Sequence, residues 1–352
     1  MNREVRFFQA INEAIDLCME KDPSVYIMGL GVPDPSGVFG TTLGLQKKYG
    51  SVRVMDMPLS ENGMTGVAIG SALVGMRPIM THQRGDFALL AMEQIVNQAA
   101  NWYYMFGGQK SIPLVIRMVI GRGWGQGTQH SQSFQAWFAH VPGLKVVMPT
   151  TPYDAKGLLI ASIEDNNPVI FIEHRWLHNI TGHVPEGTYR TPLGQARVAR
   201  EGTDVTIAAT SYMTIEALRA AEMLVKDGIS AEVVDIRTLK PLDEKLILDS
   251  VRKTGRLIAA DIGWKMVGFS AEIVARIAEE ALNDLKCPPI RVALPDCPTP
   301  TTPALANRYY PLAVHIVATA RKMLGLSADL PVSPDRTPVP LDVPDMSFTG
   351  PF

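Results

Sequence analysis

Cysteine is scarce in this 352-residue chain: Cys18, Cys287 and Cys297 are odd in number and lack metal-ligand spacing. That excludes a disulfide framework, and the three read as small buried apolar groups in a reducing compartment. Long hydrophobic runs are also missing, and none approaches the roughly 18 residues of a membrane span. Charge is nearly balanced at −2 net, so nothing pulls the chain toward nucleic acid or an anionic membrane. The opening stretch, MNREVRFFQAINEAIDLCMEKD, scatters acids along an amphipathic helical pattern, which fits neither a signal nor a transit peptide. The expectation is a cytoplasmic protein without nucleic-acid or membrane partners. Walker spacing and GxGxxG are absent too, and no internal repeat is visible.

What remains is a chain 46% hydrophobic and 19% charged, long enough for about two domains and apolar enough at its surface to expect an oligomer. Short apolar runs alternate with helical periods. Strands are expected at 25–31, 52–57, 77–81, 113–120, 144–148 and 169–173, with a long helix over 87–104. Runs that are apolar throughout and separated by helices indicate a parallel sheet covered on both faces. The pattern lapses after 173, and a second alternation, with strands at 205–209, 231–236, 256–260 and 289–294, begins further on. The expected fold is α/β: a doubly wound parallel-sheet domain over 1–185, a linker over 186–203, a smaller α/β domain over 204–326 and a proline-rich tail over 327–352.

The stretch VRVMDMPLSENGMTGVAIGSALVG, residues 52–75, organises the first domain. Pro58 ends a strand and helical spacing starts at Ser60, so Glu61 falls in a helix's first turn, at the kind of strand-to-helix corner where doubly wound sheets bind ligands. The plainer reading is an acid that complements the helix dipole, worth about 0.3–1 kcal/mol. Gly63, Gly66, Gly70 and Gly75 each weaken a helix by about 1 kcal/mol against alanine, so close packing against a neighbouring subunit or a flat cofactor is expected. Downstream, the loop GRGWGQGTQHSQS (121–133) follows a strand and carries His130. A histidine there suits acid–base work near neutral pH; a hydrogen-bonded structural role is the ordinary alternative.

The runs MPLSENGMTGVAIGSALVGMRP, MEQIVNQAANWYYMFGGQ, GTQHSQSFQAWFAHVPGLKVVMPTTPYDAKGLL and DIRTLKPLDE together resemble the beta subunits of thiamine-diphosphate-dependent 2-oxo acid dehydrogenases, over about residues 3–325. Transketolases are more distantly similar. The resemblance implies a pyrimidine-binding domain followed by a transketolase C-terminal-type domain. It implies oxidative decarboxylation of a 2-oxo acid, pyruvate-like or branched-chain, with acyl transfer to a lipoyl acyltransferase partner. By the same resemblance Glu61 hydrogen-bonds the cofactor's aminopyrimidine nitrogen, Leu59 contacts that ring, Gln83 lies beside it and Phe87 packs against it. His130 matches the histidine that faces the reacting centre. Ser162, Asp165 and Asn167 match a loop that in some relatives holds a structural potassium ion through backbone oxygens; a helix end with acidic and amide caps is the alternative.

The GDG motif through which the family holds diphosphate and magnesium is absent. In heteromeric relatives it belongs to an alpha subunit, so an α2β2 tetramer sharing thiamine diphosphate and magnesium with that subunit is expected. Departures from the pattern are Arg84, where many relatives have an aromatic residue, Arg122 and Trp124 in the loop before His130, and HRWLH at 174–178. These arginines point to a substrate larger or more anionic than pyruvate, or, for Arg84, to a salt bridge with Asp86. Two other readings compete: a split transketolase-like enzyme moving two-carbon units between sugars, and a non-catalytic assembly partner. Packing alone requires neither Glu61 nor His130, which speaks against the second. Asp235 and Asp261, in the second domain, receive only a structural reading.

Overall fold

A computed structural model describes residues 3–121 and 127–329. Arg122, Trp124 and the proline-rich stretch from 330 onward lie outside the described residues. Two compact units emerge, one over 3–120 and 137–193, the other over 121, 127–136 and 194–329.

In the first unit the strands lie in the order Lys145–Val147, Val169–His174, Val115–Ile120, Arg77–His82, Val25–Met28, Val54–Met55, each parallel to its neighbours. Val115–Ile120 and Val169–His174 are buried at every position, as a sheet covered on both faces requires. One cover is the helix Phe7–Lys21, whose Phe7, Ile11, Ile15 and Met19 are buried; burial of each such side chain contributes about 1.5–3 kcal/mol. It packs on the helix Pro152–Glu164. That helix starts where proline and a cap allow it, with the Thr151 hydroxyl accepting from the Asp154 amide at 3.1 Å. Cys18 lies in this interface, and burial pushes its thiol up to about 12, which leaves it unreactive.

In the second unit the order is Ile290–Leu294, Leu257–Trp264, Val205–Ala209, Ala231–Asp235, Arg197–Arg200, with only the last strand antiparallel. The later strands flank Val205–Ala209 on opposite sides, so a topological switch point lies between it and Leu257–Trp264. The latter strand continues past Ala260, where the apolar run stops, and so takes in Asp261.

Two stretches differ from expectation. The helix expected over 87–104 is interrupted: α-helix over Gly85–Ala88, a 3₁₀ turn over Leu89–Ala91, a π-helix over Gln94–Ala99 and α-helix again over Ala100–Met105. The Asn101 side chain donates to the Val96 carbonyl at 2.8 Å, a side-chain bond that competes with the regular ladder. After residue 173, Thr181–His183 pairs antiparallel with Glu4–Arg6, two strands too short for periodicity to reveal. Among the described residues no helix is long and apolar enough to cross a membrane.

Candidate active site

Three neighbouring strands of the first unit, Val25–Met28, Val54–Met55 and Arg77–His82, send their carboxyl-end loops to one edge of the sheet, where interlocking bonds hold them. The Asp56 carboxylate accepts from the amides of Gly31 and Met57, both at 2.9 Å. Gln83 donates to the Leu30 carbonyl at 3.0 Å. Gly31 has φ +71°, and a Cβ there would stand 2.6 Å from the Gln83 amide nitrogen. A Cβ on Gly29 would stand 2.3 Å from the Thr81 carbonyl oxygen, so the close approach of these loops needs glycine at both places. Asp56 is the residue sequence reading missed, although it stands beside the strand end that was singled out.

Glu61 opens the helix Glu61–Leu73 at the corner where it was expected. The residue is 6% exposed, and no hydrogen bond or ion pair from the described residues reaches its carboxylate. The carboxylate is thus open to an incoming donor. Leu59, two residues earlier, is 79% exposed, and Phe87 is half-buried in the short helix after Arg77–His82. A carboxylate without a donor among the described residues, with apolar Leu59 in the preceding loop and Phe87 in the short helix Gly85–Ala88, fits an aromatic base that carries a protonatable ring nitrogen. The expected packing against the helix glycines is not supplied by the described residues at Gly70, where an added Cβ meets none of them within 4 Å. Val67 and Val74 of the same segment are exposed.

Beneath these loops lies a buried ionic cluster. Arg117 donates through Nε to Glu173 Oε1 at 2.7 Å, and His178 Nε2 is 3.1 Å from Glu173 Oε2. Burial pushes the Glu173 carboxyl up, but Arg117 and His178 together hold it below the usual range, so it is ionised. His178 stacks on Phe7 and tilts against Phe39, whose ring also receives the guanidinium groups of Arg84 at 5.2 Å and Arg175 at 4.6 Å. Burial lowers Arg84 to about 10 against the opposing charge of Asp86, and burial plus Arg84's charge lowers Arg175 to about 9. Arg84 is only 4% exposed, set over the Phe39 ring and within the field of Asp86. The unusual 174–178 segment is absorbed into the same cluster.

An acid sensitivity follows. Burial depresses His82 and His178 from 6.5 to about 4, with the Glu173 bond opposing it at His178. Unfolded, both take up a proton near pH 6.5; folded, they do not until about pH 4. Stability is thus fully present above pH 6.5 and is lost toward pH 4, by about 2 kcal/mol per histidine at pH 5. His178→Gln should remove roughly half of that slope, read as the fall in melting temperature between pH 7.5 and pH 5; an unchanged fall would contradict the assignment.

The segment 162–167 fits potassium poorly. Arg77 donates to the carbonyls of Ile163 and Asp165, both at 3.0 Å, and to the Asn166 side chain at 2.6 Å, while Lys145 pairs with the Asp165 carboxylate. One of the three expected carbonyl ligands is thus already committed to a guanidinium. Ser162 hydrogen-bonds back to Leu158 and the Asn167 amide donates to Asp165, which is the capped helix end. Elsewhere among the described residues, no group of three His, Cys, Asp or Glu side chains converges as a metal site would.

His130 belongs to the second unit. It lies half-buried in a 3₁₀ turn over Gln129–Ser131, closed by the Ser131 hydroxyl on the Gly127 carbonyl at 3.0 Å and by Gln132 on Gln129 at 3.0 Å.

The transketolase pyrimidine-binding domain family matches residues 3–179, and the transketolase C-terminal domain family matches residues 194–316. The beta subunit of acetoin:2,6-dichlorophenolindophenol oxidoreductase from Cupriavidus necator is 45% identical, over 92% of this chain and 98% of its own length. Its counterpart from Bacillus subtilis is 41% identical over 92% and 98%, and the mitochondrial pyruvate dehydrogenase E1 component subunit beta of Bos taurus 40% over 92% and 91%. Among solved structures, a split-gene transketolase described as an inactive beta4 tetramer matches with a TM-score of 0.74 at 25% identity, covering 92% of this chain and 99% of that one.

Proposed function

Because this chain belongs to the transketolase-like family of pyruvate and acetoin dehydrogenase beta subunits, we propose that it is the beta half of a thiamine-diphosphate enzyme that cleaves a carbon–carbon bond next to a carbonyl and oxidises the fragment. The observation that carries this reading is Glu61, a largely buried residue at a helix start whose carboxylate has no partner among the described residues. When bound, thiamine diphosphate supplies the electron sink. Glu61 holds and returns a proton at the ring nitrogen. Leu59 and Phe87 flank the ring, and Gln83, fixed on the Leu30 carbonyl, borders it. His130 handles protons of the substrate fragment. An alpha subunit brings the diphosphate and magnesium ligands in an α2β2 assembly and covers the exposed Val67, Gly70 and Val74 face; a lipoyl acyltransferase receives the acyl group. The three unpaired cysteines suit a reducing, cytoplasmic setting.

The substrate is a 2-oxo acid on the first reading. A second is favoured by the names of the 45% and 41% identical relatives, which are acetoin oxidoreductase subunits; acetoin offers the same carbonyl-adjacent bond. Co-expression with the alpha-type subunit, thiamine diphosphate, magnesium and 2,6-dichlorophenolindophenol separates them. Dye reduction with pyruvate or a branched-chain 2-oxo acid selects the first and reduction with acetoin the second. Turnover of ketose phosphates alone would overturn both in favour of the split-transketolase reading.

A further inference from the structure

The segment that carries His130 is fastened to the second unit by three contacts of different kinds. The Thr128 hydroxyl donates to the Thr299 carbonyl at 3.1 Å. Phe134 meets Trp264 edge-on, with ring centroids 6.2 Å apart. Gln135 donates to Asp261 Oδ1 at 2.9 Å, and the same oxygen accepts from the Thr210 hydroxyl at 3.1 Å. Gln135 and Asp261 are both fully buried. Asp261 and Trp264 stand on one strand, Leu257–Trp264, at the switch point of this sheet. Between them, Gly263 makes the approach possible, since a Cβ there would lie 2.7 Å from the Gln135 amide nitrogen. Trp264 is itself held, donating to the Cys297 carbonyl and the Tyr309 hydroxyl, both at 3.1 Å.

A fully buried carboxylate is costly to retain. Burial pushes Asp261 above the ordinary carboxylate range, against the donors Gln135 and Thr210 and the backbone amides of Gly263 and Ser270. An apolar residue would fill the same space without that cost. What Asp261 adds is an acceptor that ties the Gln135 side chain to the Thr210 hydroxyl, and Gln135 sits five positions after His130, at the start of the helix Gln135–His140.

We infer that Asp261, acting through Gln135, is a positioning residue that fixes the His130 turn, so that the C-terminal-type domain contributes to the active site and not to assembly alone. The consequence for turnover rests on the proposed role of His130; the positioning does not.

Labelling of His130 in the full chain by diethyl pyrocarbonate, followed by peptide mass spectrometry, reads the turn directly. Gln135→Met, which keeps volume and removes the donor, should raise the labelling rate about five- to tenfold. Gly263→Ala, which displaces Gln135 without altering either polar group, should do the same and decides the matter if the first variant misfolds. Asp261→Asn keeps an acceptor opposite Gln135 and should stay within about twofold of wild type. In the assembled enzyme Gln135→Met should lower kcat about tenfold with KM for substrate nearly unchanged. Labelling within twofold of wild type in both Gln135→Met and Gly263→Ala would overturn the inference, as would Asp261→Asn labelling as fast as Gln135→Met. If His130→Asn retains full turnover, the catalytic reading of His130 fails while the labelling result still stands.

Discussion

Glu61→Gln in the assembled enzyme is expected to lower kcat by about 10²–10⁴-fold, the range in which positioned acid–base groups act. The expectation is sharp because the same change should not damage the fold. Glu61 makes no hydrogen bond with the described residues of its own chain, and glutamine preserves its length and volume. The cost that accompanies most buried substitutions is therefore absent, and the melting temperature of the isolated chain should be nearly unchanged. Loss of the acid at the helix's first turn weakens the dipole interaction by no more than about 1 kcal/mol. Steady-state dye reduction on the complex, with a thermal melt of the free chain beside it, separates the two effects. A kcat within about threefold of wild type, with cofactor saturating, would remove Glu61 from the reaction and return it to the plainer role of a helix-dipole acid.

The second large effect concerns stability. Arg117→Met should destabilise the chain by about 3–5 kcal/mol, because it strands Glu173 as a buried charge. Arg117 is 1% exposed and Glu173 fully buried, so bulk solvent does not take over from the guanidinium. Replacing the pair together, as Arg117→Met with Glu173→Gln, should recover most of the loss, since a neutral amide can keep the His178 contact without requiring a cation. Chemical denaturation of the three proteins tests this, and a single-mutant loss under about 1 kcal/mol would show that the pair behaves like a surface salt bridge. The consequence reaches the active site. Through His178 and Phe39 the pair supports Arg84, the residue next to Gln83, so the single mutant should also bind thiamine diphosphate more weakly than the double mutant.

Much of the first unit could be read from periodicity alone. Runs such as VIRMVI and VIFIEH are buried at every position, and a sheet covered on both faces leaves such runs no alternation to hide in. The Glu61 corner was legible for a different reason: Pro58 stops the strand, and the small residues that follow at helical spacing fix where the helix starts. The interrupted 85–105 helix was not legible, because Ile95 and Ala99 keep an apolar face whether the turns are α or π, while Leu90, expected on that face, is exposed. Nor could the strand past Ala260 be seen, since Asp261 ends the apolar run on which sequence reading depends.

The sequence by itself determined the alternation of strands and helices, the position of Glu61 at a strand-to-helix corner and the family to which the chain belongs. Each of these is set by residues close together in the chain, through proline, glycine and the spacing of apolar side chains. Only the tertiary structure decided what the isolated charges do. Arg84 faces Phe39 and not solvent, Arg77 takes the Asp165 carbonyl expected to hold potassium, Arg117 neutralises Glu173, and Asp261 meets Gln135 across 126 residues of sequence. A charge acts over a few ångströms in a medium of low dielectric, so its role depends on which distant strand or loop the fold brings within that range.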